Sequence, residues 1–411
     1  MNALLISNAR LIDGLGGDPV DGTDILLDAG VVTAIAPTGR LTLGSERLRR
    51  IDAAGLTVMP GFFDCHIHAS TSPTQSALDG IVEAESAKTL RAVPHLRDTL
   101  LAGVTTARDL AGADTGFRDS IAEGVIPGPR LLLALRILSI TGGHGDSRAV
   151  NGLVLDSGPG AGAIADSPEG FLRATREVVR EGADWIKIAA TGGMGSPRSH
   201  PEGGGLSEAE MRVVVDEADR HGVAGVAAHA IGTRGIAAAV RAGVRSIEHG
   251  YLVDDDAIAE MIARGTYLVP TLSTLTRPLA PGAAPWVAAK RRTTVERAGE
   301  RLRAALAAGV PVALGTDAGI VAHGENLREL ALLVEYGLTP MQAILAGTAN
   351  AARMNRIHDE VGTIEVGMRA DLVGTRVDPL VDIAARAAPH AMALIVQAGV
   401  SITEPTETRT A

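Results

Sequence analysis

The first 57 residues carry their apolar positions in short runs, ALLISNARLID, DILLDAGVVTAIAP and LRRIDAAGLTVMP, broken by Gly, Asp and Pro. That pattern predicts short strands. The tail from about Val361, VGTIEVGMRADLVGTRV and then AMALIVQAGVSI, has the same character. Two β-rich ends around a long middle predict one small sheet domain built from both termini, residues 1–57 with 360–411.

The middle, residues 58–359, alternates. Apolar strand candidates occur in LTVMPGFFDCHIH, GVTTARDL, PRLLLALRILS, ADWIKIAA, VAGVAAHA, VRSIEHG, TYLVPTLS and VPVALGTDAG. Between most of them lie segments with apolar residues at helical spacing, such as SPEGFLRATREVVREGA, SEAEMRVVVDEADRHG and DDDAIAEMIARG. These three open on Ser or Asp before an acidic first turn, as helix starts prefer. Strands alternating with helices predict a parallel sheet, and about eight such units predict a closed (β/α)8 barrel. An open doubly wound sheet is the alternative. The barrel is favoured because ligand-type residues end many separate strands, and only a barrel gathers those ends at one mouth. Gly/Pro-rich stretches after strands, ADSPEG, RSHPEGGG and LSTLTRPLAPGAAP, read as loops over that mouth.

Composition changes little. The 411 residues are 46% hydrophobic and 21% charged, an ordinary globular balance. Aromatics are only 2%, so aliphatic residues must fill the core. A net charge of −10 gives no reason to expect nucleic acid or an anionic membrane as partner. The one cysteine, Cys65, excludes an internal disulfide and a Cys-cluster zinc site. MNALLISNARLIDG lacks the pattern of a signal peptide, and no apolar run reaches the ~18–20 residues of a membrane span. A cytoplasmic location is the resulting expectation.

The chemistry starts at GFFDCHIH. Strand side chains alternate, so His66 and His68 share a face at the C-terminal end of the first barrel strand. Two imidazoles there can chelate one divalent ion. Asp64 shares their face and is placed to orient a ligand, and Cys65 should face the outer wall. A pair of merely solvated histidines is the bland alternative. His229 in VAAHA, His249 in SIEHG and Asp317 in LGTDAG also end strands. Singly, each reads as a structural residue or a helix cap; together they make coincidence a poor account. Lys187 in ADWIKIAATGG points into the barrel from between apolar neighbours. Burial and nearby cations both disfavour an ammonium there. Either it snorkels to solvent or a carboxylate, or its neutral amine has taken up carbon dioxide. The carbamate would then bridge two metals and, with Asp317, offset their charge.

GFFDCHIH, IKIAATGG, the VAAHA and SIEHG histidines and LGTDAG resemble the metal motifs of the amidohydrolase superfamily. The likeness runs nearly the whole chain, tail included. It implies a distorted TIM barrel with a composite β-sandwich. His66 and His68 would bind the more buried ion, His229 and His249 the second, carbamylated (N6-carboxylated) Lys187 would bridge, and Asp317 would bind metal and handle protons. ITGGHGD, GADWIKIAATGGMGSP, AGVRSIEHG and HGENLREL look most like the Xaa-Pro dipeptidase and imidazolonepropionase-related group, with its prolidase-like and ochratoxin-amidase-like hydrolases. That likeness gives His144 of GGHG a substrate-polarising or carboxylate-binding role and places His323 near the mouth. It also exposes a departure. Many dipeptidases of the group carry a Tyr two residues after the fifth-strand His, where this chain has Ile231.

The resemblance implies hydrolysis of an amide C–N bond in a small molecule by a hydroxide bridging two divalent ions, with zinc expected, in a homo-oligomer. The alternatives are a mononuclear deaminase or cyclic-amide hydrolase of imidazolonepropionase type, a lactone or ester hydrolase, and a non-catalytic scaffold. Lys187 discriminates the first, a substrate panel the second. The scaffold predicts missing ligands, and none of the six positions is missing.

Overall fold

A computed structural model describes residues 3–41, 48–74, 83–148, 151–154, 162–194, 199–279, 285–386 and 391–405. Strands from both ends form one sheet in the order Val400–Thr403, Met392–Gln397, Leu372–Thr375, Thr57–Pro60, Leu4–Leu11, Val20–Asp28, Val31–Pro37. Strand Arg49–Asp52 also pairs with Leu4–Leu11. The first strand is shared lengthwise: Leu4–Ser7 pairs with Arg49–Asp52, and Arg10–Leu11 with Thr57–Val58. Register shifts at Ala9 let it turn between those partners. The sheet thereby folds over a core of Leu4, Ile6, Ile25, Leu27, Ile51, Val58, Leu372, Leu394 and Val396. This is the composite β-sandwich.

The barrel strands are Phe62–Ile67, Val104–Asp109, Arg130–Leu133, Ile186–Ala189, Val226–Ala230, Ser246–His249 and Tyr267–Val269, with 311–317 as the eighth. The strand ladders among them are parallel. The eighth segment and the residue after it close the ring by single bridges, Leu268 to Val312 and Ile67 to Ala318. The third strand is broken. Leu135 takes a left-handed φ of 62°, and the chain resumes as Ile137–Ser139 beside Ile186–Ala189. These irregularities distort the barrel.

The three sequence-predicted helices form as Pro168–Arg180, Glu208–Arg220 and Asp255–Arg264. Ser167, Ser207 and Asp254 accept from backbone N–H groups of the first turn, and Ser207 with Glu210 completes a capping box. Helix faces and the outward side chains Ile186, Ile188, Val226, Ala228 and Ile247 make the main core. Among the described residues, no helix is long and apolar enough to cross a membrane.

Cys65 departs from expectation. It packs with Trp185, Ala227, Val269 and Ala313 rather than with the helix-facing cluster that holds Ile67. A register shift between Asp64 and Ile67 breaks strict alternation there. Burial pushes its thiol up to about 12, so it is inert.

Candidate active site

Strand ends place His66, Lys187, His229 and His249 at the mouth, with His68 just beyond the first strand and Asp317 on the eighth segment. These six, with His144 and Ile231, line one cavity of about 260 Å³. His323 is not among its lining residues. It stacks on His95 at 4.5 Å and pairs its Nε2 with the Thr71 carbonyl at 3.2 Å.

Each imidazole is held from behind, which fixes the nitrogen it presents. His66 Nδ1 donates to Glu248 Oε2 (2.8 Å), and His68 Nδ1 to the Ala111 carbonyl (2.7 Å). Both therefore offer Nε2 to the cavity, 3.6 and 3.2 Å from Asp317 Oδ1. His229 Nε2 donates to the Gly192 carbonyl (3.1 Å), leaving Nδ1 as the free donor pair. His249 Nδ1 pairs with Thr271 Oγ1 (2.7 Å), which Tyr251 Oη also reaches. A ring nitrogen fixed from behind is the usual preparation of a histidine ligand. Burial holds His66, His229 and His249 well below the ordinary imidazole range, so they are neutral. Neutral rings are what a cation requires.

Three of these residues store backbone strain. His249, Thr271 and Asp317 have φ of 72°, 46° and 63°, a region that disfavours side chains other than glycine. Such outliers cluster where function fixes geometry.

Lys187 is 2% exposed, and its Nζ has no hydrogen-bond partner among the described residues. Burial first, offset by Glu248 and Asp317 and reinforced by Arg108, brings its amine down to about 8. His144 stacks on His229 with ring centroids 3.9 Å apart, and burial lowers it to about 4. The stack needs Gly193, because a Cβ there would collide with the His144 ring.

The donor set fits a metal: imidazoles each with one ring nitrogen fixed, a carboxylate, and a buried amine without a partner among the described residues. Among the described residues, one group already has its ligand atoms within 4.8 Å of one another: His66, His249 and Asp317. That group could hold one ion.

Sequence reasoning missed the support behind the ligands. Arg108 is fully buried over Trp185, donates to Glu248 Oε1 (2.8 Å) and to the Cys65 carbonyl, and so braces the Glu248–His66 pair. Glu248 of SIEHG is adjacent to His249 in the strand, yet it reaches His66 inside the barrel while His249 lines the cavity. The positive φ of His249 brings both into the barrel. Asp64, expected to orient a ligand, instead accepts from the His66 and Thr316 backbone, Thr316 Oγ1 and Asn326 Nδ2. It ties the first strand to the eighth segment.

A barrel whose strand ends gather histidines, an aspartate and a buried lysine around one cavity defines a metal-dependent hydrolase. The Amidohydrolase family profile matches residues 57–400, and the chain belongs to that family. It is 33% identical to the ochratoxinase of Aspergillus niger over 96% of this chain and 85% of that one. It is 30% identical to the imidazolonepropionase of Stenotrophomonas maltophilia over 93% of each. A crystal structure of a Xaa-Pro dipeptidase with bound methionine superposes with a TM-score of 0.87 at 30% identity, covering 98% of this chain and all of that one. The protein is accordingly a hydrolase of carbon–nitrogen bonds.

Proposed function

We propose that this enzyme cleaves an acyclic amide C–N bond in a small molecule, a dipeptide or N-acyl amino acid, with two divalent ions at the barrel mouth. The observation that carries the two-ion reading is Lys187: a buried amine without a hydrogen-bond partner among the described residues, lining the same cavity as five ligand-type side chains. An unpaired ammonium there is costly. Attack of the neutral amine on carbon dioxide forms an N–C bond, releases one proton and leaves an anionic carbamate. His66, His68, His229, His249, Asp317 and the carbamate of Lys187 would then hold the ions, with zinc the best match to an imidazole and oxygen donor set. When bound, such ions polarise a carbonyl and lower the pKa of water toward ~7.

The chain's own residues do the rest. Asp317 Oδ1, between His66 and His68, receives the proton of the attacking water and delivers it to the departing nitrogen. His144, neutral and stacked on His229, donates a hydrogen bond to the substrate carbonyl oxygen. Ile231 replaces a polar group in that part of the wall. The names of the relatives, an ochratoxinase and a Xaa-Pro dipeptidase, support an acyclic amide.

A second reading has its own observation. The ready-made group His66, His249 and Asp317 suits one ion, and the similarity to imidazolonepropionase points to a cyclic amide. A hydrolysis panel of N-acyl amino acids, Xaa-Xaa dipeptides, cyclic amides and lactones separates the readings. Turnover of the first two classes is expected. Turnover confined to cyclic amides or lactones would overturn the proposal.

A further inference from the structure

The catalytic cavity contains one positively charged side chain that no step above uses. Arg277 follows the short helix Leu272–Thr276, just after the seventh barrel strand, and lines the cavity with the ligand-type residues. Its Nε is buried without a hydrogen-bond partner among the described residues. Among the described residues its Nη1 makes one long contact, to the Ile320 carbonyl at 3.4 Å. Among the described residues no carboxylate forms an ion pair with it, while a second guanidinium, Arg291, donates to its backbone carbonyl. Burial first, and then the Arg277 charge, lower the basicity of Arg291. The walls around it are otherwise largely apolar: Leu110, Ile137, Met194, Ile231 and Ile320.

A partly buried guanidinium with no counter-charge leaves desolvation uncompensated. Its fork presents parallel N–H donors that match a carboxylate. A cavity built this way is complementary to a ligand with an apolar body and one planar anion. We infer that Arg277 binds the free carboxylate of an N-acyl amino acid whose side chain is apolar, taking that task to the loop after the seventh strand. The inference rests on the amide-hydrolase reading and narrows it: a free carboxylate is a requirement, and the neutral carboxamide is a poor substrate. The apolar Ile231 is consistent with this division, since it leaves that wall to the substrate body.

The test compares N-benzoyl-L-leucine with N-benzoyl-L-leucinamide on metal-loaded wild type, Arg277→Met and Arg277→Lys. Wild type should prefer the acid, and Arg277→Met should lose on the order of 10²-fold in kcat/KM for it, carried mainly by KM. The acid-to-amide ratio should collapse, and Arg277→Lys should restore part of it. Thermal melting checks that the variants fold. Equal losses on acid and amide, or no loss on either, would overturn the inference while leaving amide hydrolysis standing. If wild type hydrolyses neither compound, the amide-hydrolase reading fails for this class. Calorimetric binding of the acid then decides the Arg277 question: tighter binding than the amide, lost in Arg277→Met, supports it, and equal binding refutes it.

Discussion

At the scale of single residues, the site depends on groups that touch neither ligand position nor cavity. Gly193 leaves room for the His144 ring on His229. Gly193→Ala must push that ring away, and displacement of a positioned group by about 1 Å commonly costs on the order of 10²-fold in rate. Steady-state kinetics should show that loss mainly in kcat, with zinc content unchanged. Glu248 fixes the His66 tautomer and neutralises Arg108. Glu248→Gln should weaken zinc binding by ~10–100-fold in a chelator competition. It should also lower stability by ~3 kcal/mol in denaturant unfolding, because Arg108 is left buried and uncompensated. Unchanged zinc affinity would mean that His66 is held by its strand alone. The ligand-type residues could be picked out in the sequence because strand ends announce them. Their supports could not, because the positive φ of His249 and the register shift beside Cys65 break the alternation from which facing was read.

At the scale of elements, the alternation of strand and helix was readable because the patterns are long and their caps explicit. Ser207 and Glu210 illustrate this: the sequence signal SEAE becomes a capping box with both reciprocal hydrogen bonds. Ser207→Ala should cost about 1 kcal/mol of stability, measured by chemical unfolding, with turnover per folded molecule retained. What stayed hidden were the breaks. PRLLLALRILS reads as one strand, yet Leu135 divides it, and the second half pairs with the strand that carries Lys187. LTVMPGFFDCHIH also reads as one strand. Its first part, Thr57–Pro60, belongs to the sandwich, and only Phe62–Ile67 to the barrel. Apolar runs carry no mark of which sheet will take them.

At the scale of the molecule, the sandwich and the barrel share an apolar seam that includes Met59, Val373, Met392 and Ile395, and polar contacts reinforce it. Asp371 accepts from Arg130 Nη1 at the start of the third barrel strand (3.0 Å) and from the Ala398 N–H (2.7 Å). Gln397 Nε2 donates to the carbonyls of Thr105 and Gly128 (3.1 and 3.2 Å). Asp371→Ala removes both of its bonds and should destabilise the fold by ~2 kcal/mol in thermal or denaturant unfolding. No pairing between residues this far apart in sequence was legible from periodicity. The likeness of the two β-rich ends, and the resemblance to the amidohydrolase superfamily, were what indicated that they meet.

The central claim joins these scales: a barrel mouth that holds two ions through a chemically modified Lys187. The most direct test is the metal content per chain of protein reconstituted with zinc and bicarbonate, in wild type and in Lys187→Ala, with ¹³C-bicarbonate labelling to detect the carbamate. Two ions in wild type, fewer in the variant and a carbamate signal confined to wild type are the predicted result. One ion in both proteins, with no carbamate signal and activity retained in Lys187→Ala, would contradict it and leave the single-ion centre of His66, His249 and Asp317.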